Sequence, residues 1–368
     1  MFNLDLPILT KALFLFGVSI ITTSIIVFLF SSLFRKINLL DHPERYPHEG
    51  KRKPIPYGMG IILYINFLIL CLSFLDVGYK KLLIILVLGG IITLISFIDD
   101  LETIDIIKVK VPPIFRLLVQ IGIGAIIGIT SIKIGYISNI FAGAGVINLE
   151  SYFLQWGAYT IYLIPLAFTI VWYVIVFNSI NWSDVIPGLT SGLVEISFLI
   201  LLVLTIKLYL TDISEVAKEN SEFVLLLLSI LIPSIIVYWF FDVKKKFLIG
   251  DSGTMFLAFM IATLAIISGG KIATAATVLG MYIIDSFYVI LMRLYNKKNP
   301  LKGDTIHHLH FRLGKLGFSQ NFIRNLVYSL SFLFGIGAIF LDKVGKLIIF
   351  FILMIIVFLI TKILSLKK

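Results

Sequence analysis

A single cysteine, Cys71, lies inside an apolar run. One thiol leaves no disulfide framework and no thiolate metal site, and it argues against redox chemistry. Charge is scarce as well: Asp, Glu, Lys and Arg make up 14% of the 368 residues, where soluble domains carry roughly a quarter. Together with 59% hydrophobic residues and a mean hydropathy of +1.04, that shortage excludes an ordinary soluble domain. Internal repeats and low-complexity linkers are also missing. The N-terminal stretch carries Asp5 and Lys11 but no basic leader or small-residue cleavage site, so the first apolar run is expected to stay as a span.

Long apolar runs are what the sequence has in quantity. A window of about 19 residues predicts eleven spans, at 8–34, 58–75, 81–98, 114–130, 158–177, 189–209, 223–241, 254–268, 272–292, 322–341 and 344–364. The expected fold class is all-α, a polytopic membrane protein with one integral membrane domain over residues 1–368. Those at 58–75 and 254–268 are near the lower length limit for crossing a hydrocarbon core of about 30 Å. With the N-terminus outside, segments 35–57, 99–113, 178–188, 242–253, 293–321 and the C-terminus fall inside, and most of the 31 Lys and Arg fall with them, Arg116 and Arg324 counted as span ends on that side. The opposite segments differ: 131–157 has one Lys, and 210–222 is mostly acidic. The expected setting is a prokaryotic cell membrane, with the chemically suggestive loops on the cytoplasmic side and no nucleic-acid partner.

Five segments on that side carry candidates. Between 244 and 256 the chain reads Lys-Lys-Lys-Phe-Leu-Ile-Gly-Asp-Ser-Gly-Thr-Met-Phe, which parks Asp251 between two apolar spans among small residues. A carboxylate placed there suits a divalent cation, and it equally suits a helix N-cap. Lys51, Arg52 and Lys53 lie in a Pro- and Gly-rich segment before a span, where they can hold a phosphorylated headgroup or anchor to anionic lipid. Asp99 and Asp100 end an apolar run. Adjacent acids repel and oppose a helix dipole, a local cost that points to function, with Arg116 as a nearby countercharge.

Segment 178–193 is dense in polar residues and glycine, and turn chemistry alone accounts for much of it. Asn178 and Asn181 are three apart and share a face if the preceding helix runs on. The stretch 303–313, Gly-Asp-Thr-Ile-His-His-Leu-His-Phe-Arg-Leu, holds three of the five histidines. A metal or phosphate oxygens fit that pattern, the latter because His stands beside Arg. Asp285 sits inside a predicted span, where an acid is by default functional or partnered, and Arg293 at i+8 is the expected partner.

Taken in order, Gly-Met-Gly, Asp-Asp, Asn-x-x-Asn-x-x-Asp with Gly-Leu, Phe-x-x-Gly-Asp-x-Gly, an intramembrane Asp and His-Leu-His-x-Arg-Leu resemble the polyprenyl-phosphate N-acetylhexosamine-1-phosphate transferases. The resemblance covers about 38–320, leaving 322–364 as two C-terminal spans. It implies an enzyme that moves a sugar-1-phosphate from a UDP-sugar to polyprenyl phosphate and releases UMP, with a homodimer allowed. It further implies Mg2+, with Mn2+ as a substitute, at Asp251 and Asn181, and service to the lipid phosphate by Asp99 and Asp100. His308, His310 and Arg312 would grip the diphosphate, and Asp184 would belong to the nucleotide end. The chain departs from the family at Val185, Pro187 and Phe311, which bear on nucleotide and sugar specificity. A multi-pass transporter of an anionic substrate is the competing class, although transporters concentrate charge near the bilayer midplane.

Overall fold

The computed structural model describes residues 7–43, 53–139, 145–157, 159–211, 214–269, 272–299, 304 and 306–366. Every predicted apolar segment is helical over most of its length. In chain order the helices are α1 (Ile8–Lys36), α2 (Gly60–Phe74), α3 (Lys80–Thr103), α4 (Pro113–Gly128), α5 (Leu163–Asn181), α6 (Leu189–Thr211) and α7 (Glu215–Val243). They continue with α8 (Gly250–Ile267), α9 (Ile272–Val278), α10 (Gly280–Tyr295), α11 (Leu309–Lys315), α12 (Gln320–Phe340) and α13 (Lys343–Leu366).

The span count differs from eleven. Among the described residues eight helices are long and apolar enough to cross a membrane, or nine if α9 and α10 form one broken span bent by 77°. The helices α2 and α4 have 15 and 16 residues, short of the ~20 that cross a hydrocarbon core. The segment expected to begin at 158 starts instead as a strand. Hairpins Tyr136–Ser138 with Val146–Asn148 and Phe153–Trp156 with Tyr159–Tyr162 occupy what the sequence presented as a plain connecting loop.

At the centre stands α8, buried over 94% of its span. A helix apolar on all sides needs neighbours all round, and α8 has α3 and α5 on its flanks with α2, α6 and α7 behind. The opposite case is α13, buried over only 11% of its span and thus presented to lipid. Small polar groups join helices where lipid offers no partner: Ser19 Oγ donates to the Ile230 carbonyl at 2.7 Å, and Asn66 Nδ2 to Thr23 Oγ1 at 2.8 Å. The closest approach is backbone to backbone. A Cβ added to Gly60 would lie 1.9 Å from the Gly253 nitrogen, so α2 meets the first turn of α8 without an intervening side chain.

One end of the bundle gathers the polar segments. The Met59 N–H donates to the Leu248 carbonyl at 3.2 Å, Arg116 on α4 reaches both α3 and α8, and Trp182 after α5 packs on His308 before α11. This end is called the site face below, and the hairpins lie at the far face.

Candidate active site

Helix ends build the centre. Arg116, one turn into α4, places Nη1 2.7 Å from Asp99 Oδ2 and 3.0 Å from Asp251 Oδ2, so one guanidinium nitrogen serves carboxylates from α3 and α8. The start of α4 is set by Pro112 and Pro113, since proline's fixed φ suits a first helical turn and its missing N–H is not needed there. From α5, Asn181 Nδ2 donates to Asp251 Oδ1 at 3.0 Å and to Thr254 Oγ1 at 3.2 Å. The α5 helix does run on through Asn181, and Asn178 and Asn181 line the same groove. Asn178 Nδ2 donates to Gln120 Oε1 at 2.8 Å.

The two adjacent acids part company. Asp99 faces Arg116, whereas Asp100, only 1% exposed, turns to the start of α8. Its Oδ1 accepts from the Asp251 N–H at 2.6 Å and its Oδ2 from the Ser252 N–H at 3.0 Å. A carboxylate at a helix N-terminus satisfies orphan N–H groups and meets the positive end of the dipole. Asp100 thus caps α8 from another helix, and Asp251, which the N-cap reading would have used for that purpose, is left to face Arg116 and Asn181. Gly250 makes this possible. Its φ is +76°, and a Cβ there would stand 2.6 Å from Asp100 Oδ1.

The segment between α5 and α6 is pinned from below. Arg324 Nη1 donates to the Pro187 carbonyl at 3.1 Å, and the Tyr328 hydroxyl donates to the Gly188 carbonyl while accepting from Trp239 Nε1 at 3.0 Å. Buried Asp242 accepts from Ser191 Oγ at 2.8 Å. Asp184 lies exposed on this segment.

In the histidine segment, the partner expected for Asp285 is wrong. Asp285 Oδ2 lies 2.7 Å from His308 Nδ1, and Oδ1 accepts from the Leu309 N–H at 2.9 Å. Arg293 instead pairs with Asp304 at 3.0 Å, because the chain after α10 folds back past the arginine before reaching α11. Asp304 also accepts from the backbone N–H groups of Ile306 and His307. Burial alone would raise its carboxyl, but these donors and the His307 ring hold it well below the usual carboxylate range. His308 and His310 stack at 5.4 Å, each about 5% exposed, and among the described residues neither ring nitrogen of His310 has a hydrogen-bond partner. Burial, then the charge of His308, pushes the His310 imidazole down to about 3, so it is neutral at physiological pH. The Arg312 guanidinium lies 5.3 Å over the Tyr288 ring. Lys53 is exposed, and Lys51 and Arg52 lie outside the described residues.

An apolar groove of about 350 Å³ opens from this centre between α4, α5 and α10. Arg116, Asn178, Asn181 and Trp182 stand among its lining, and Met255, Phe287 and Ile290 form its apolar part. Sequence reasoning missed Gln120, Trp182, Asp242, Arg324 and Tyr328. Of these only Gln120 carried a signal, as an amide at i+4 from Arg116 on an otherwise apolar helix.

A metal can be weighed against these donors. Among the described residues no three acidic, histidine or cysteine side chains converge as a protein-only cage. Mg2+ ordinarily takes one or two carboxylates together with substrate phosphates, and Asp251, Asn181 and Asp99 supply hard oxygen atoms of that kind. Two carboxylates, Asp99 and Asp251, share the single guanidinium of Arg116, an excess of negative charge that favours a cation.

The chain is 27% identical over 351 residues to a probable undecaprenyl-phosphate N-acetylglucosaminyl 1-phosphate transferase of Bacillus subtilis (strain 168), covering 93% of this chain and 88% of the relative. It is 26% identical over 319 residues to a phospho-N-acetylmuramoyl-pentapeptide-transferase of Borreliella burgdorferi (strain ZS7), covering 83% and 86%. Residues 82–269, which carry Asp99, Arg116, Asn181 and Asp251, match the profile of glycosyl transferase family 4, and the chain belongs to that family.

Proposed function

We propose that the protein transfers a sugar-1-phosphate, with N-acetylhexosamine-1-phosphate as the first candidate, from a UDP-sugar to polyprenyl phosphate at the cytoplasmic face of a prokaryotic membrane. The observation that carries this reading is the junction of Arg116, Asp99 and Asp251 with an apolar groove between α4, α5 and α10. A reaction that joins a polar diphosphate to a lipid phosphate needs such a junction. The relatives' names supply the class of reaction.

A lipid-phosphate oxygen attacks the sugar-bearing phosphorus, a new P–O bond forms, the bond to the bridging oxygen breaks, and UMP leaves with that oxygen. Two phosphates repel each other, so basic groups must hold them in line. Arg116 is placed to hold the lipid phosphate at the groove mouth, and Asp99 to orient it or take its proton. Asn181 fixes the rotamer of Asp251; in this reading Arg312 and His308 would grip the diphosphate and Asp184 would serve the nucleotide end. Mg2+ on Asp251 and Asn181, when bound, supplies charge neutralisation of the diphosphate.

The test is UMP release by purified protein in detergent or vesicles. Release from UDP-N-acetylglucosamine that needs both polyprenyl phosphate and Mg2+ is the expected result. No release with any UDP-sugar and polyprenyl phosphate overturns the reading. The transporter alternative has no support from the relatives.

A further inference from the structure

The far-face hairpin that leads into α5 has two unlike sides. Its register pairs Phe153 with Tyr162, Leu154 with Ile161, Gln155 with Thr160 and Trp156 with Tyr159. Side chains alternate along a strand, so Phe153, Gln155, Thr160 and Tyr162 share one side, and Leu154, Trp156, Tyr159 and Ile161 share the other. The first side is engaged. Thr160 Oγ1 donates to Gln155 Oε1 at 2.9 Å, and the Phe153 and Tyr162 rings lie 6.2 Å apart. Lys133, from the segment after α4, places Nζ 3.8 Å over the Tyr162 ring and 3.0 Å from Glu150 Oε1. The second side is apolar apart from one indole N–H and one phenol hydroxyl, and it is uncovered: Leu154 is 57% exposed, Trp156 77% and Tyr159 79%.

A two-stranded ribbon is marginal in water, and one that shows water an unbroken apolar side is more costly still. The neighbouring hairpin shows no such side. Its Ile137 packs against the core, and the pairs on its other side are Tyr136 with Asn148 and Ser138 with Val146.

The bilayer is what lies next to the uncovered side. Tyr162 is followed directly by Leu163, the first residue of the membrane-crossing helix α5, whose N–H donates to the Tyr152 carbonyl at 2.9 Å and ties the hairpin base to the helix start. From 151 to 183 the sequence has no Asp, Glu, Lys or Arg, so no charge separates the ribbon from the span. Trp and Tyr are the residues that favour the headgroup level, where an apolar ring and a polar edge are both satisfied. The difference between the two sides also fixes the pose. A ribbon standing upright in water would meet one medium on both sides, whereas one lying along the membrane plane meets lipid on one side and water on the other, as amphipathic elements do. A second copy of the chain is a poor occupant, because four side chains fall far short of the roughly 20–30 residues a side of a stable interface.

We propose that this hairpin is a membrane-surface anchor, lying along the far leaflet with Leu154, Trp156, Tyr159 and Ile161 set into the headgroup and upper acyl region of phospholipid. It holds the start of α5 at a fixed depth. The proposal does not depend on the transferase reading, and its test needs no turnover.

The protein has four tryptophans, so Trp156 emission is obtained as the difference between wild type and Trp156→Phe. Both are reconstituted, dilute in protein, into phosphatidylcholine vesicles. One quencher is phosphatidylcholine brominated near the headgroup end of its acyl chains, and the other is iodide on both sides of the membrane. The expected result is that Trp156 emission loses most of its intensity to the bromolipid and less to iodide. A larger loss to iodide places Trp156 in water and overturns the proposal. Protection from both quenchers also overturns it, since a protein surface then covers the hairpin.

Charge placed on either side checks the pose. Leu154→Asp should reverse the order of the two quenchers, and Thr160→Asp should leave it as in wild type. The same response in both variants refutes the assignment of sides. If Leu154→Asp fails to fold, the wild-type order of quenching still decides.

Discussion

The carboxylate centre and the histidine segment meet at Trp182, which follows Asn181 and packs on His308 at 5.6 Å, yet they are built in opposite ways. In the first, all contacts but that of Arg116 with Asp99 join distant parts of the chain: Arg116 with Asp251, Asp100 with the N–H groups of 251 and 252, Asn181 with Asp251. In the second, Asp304 holds His307 three residues on, and Asp285 holds His308 and Leu309 from the preceding helix. The first therefore exists only when the bundle is assembled. The second is largely a local fold that α10 carries with it. The match to the family profile covers the first and ends before the second.

Substitutions can break this contrast at its strongest point. Asp251→Asn should lower turnover at least about a hundredfold, the scale for removing a charge-stabilising group, while the protein still inserts and folds. Asp99→Asn should likewise cut turnover much more than nucleotide-sugar affinity, because its neighbour is Arg116 at the groove mouth. Steady-state kinetics with titrations of UDP-sugar separate the two effects. Near-wild-type turnover in Asp251→Asn would remove that residue from the centre.

Asp100 sharpens the comparison, since it belongs to the same centre but works on the backbone. Asp100→Ala leaves two N–H groups of α8 without their acceptor and should cost about 1–3 kcal/mol of stability. Thermal unfolding in detergent should show a clear fall for Asp100→Ala and little for Asp99→Ala. Equal falls would mean that the two acids share one role.

The histidine segment predicts a pH effect in place of a lost reaction. Because the folded His310 imidazole is held near 3 and its unfolded value is about 6.5, the unfolded chain binds the extra proton first. Stability from this group is complete above about pH 6.5 and is lost as pH falls from there toward 3, by at most ~1.4 kcal/mol per pH unit. Asp304 acts lower, below the ordinary carboxylate range, so it does not obscure the window from 6.5 to 4. His310→Phe should flatten the unfolding temperature across that window relative to wild type, and a curve parallel to wild type would refute the assignment.

The smallest effect is expected at Pro187. Its side chain offers no hydrogen bond, and its carbonyl is already held by Arg324. Pro187→Asp should tighten UDP-sugar binding several-fold, in keeping with one hydrogen bond of roughly 0.5–1.5 kcal/mol, with no change in metal requirement. Titration with UDP-, dTDP- and GDP-sugars checks this, and wild-type discrimination that is already sharp, with no gain in the variant, defeats it.

How much of this was legible differs by the kind of contact. Apolar runs announced the helices, and Asp99, Arg116, Asn181 and Asp251 were recognisable because small polar motifs stand out against them. Which of two adjacent acids would cap a helix was not legible, since the choice depends on where α3 ends relative to α8. The pairing of Asp285 was misread for a related reason: i+8 on one helix describes a face, whereas the partner arrived on a folded-back segment. The hairpin at 153–162 was hidden because its aromatic strands continue without interruption into the apolar run of α5.

The contact between Gly60 and Gly253 has a consequence for variation among descendants of this sequence. A side chain at Gly60 would collide with the backbone of Ser252 and Gly253, and one at Gly253 would meet the Ile249 side chain at 1.9 Å and the Gly60 Cα at 3.0 Å, so no compensating change at the other glycine can relieve it. Neither glycine contributes a functional group, and yet neither can drift. Their persistence would record a distance between two helix axes, much as a worn fit in a joint records the size of a vanished pin.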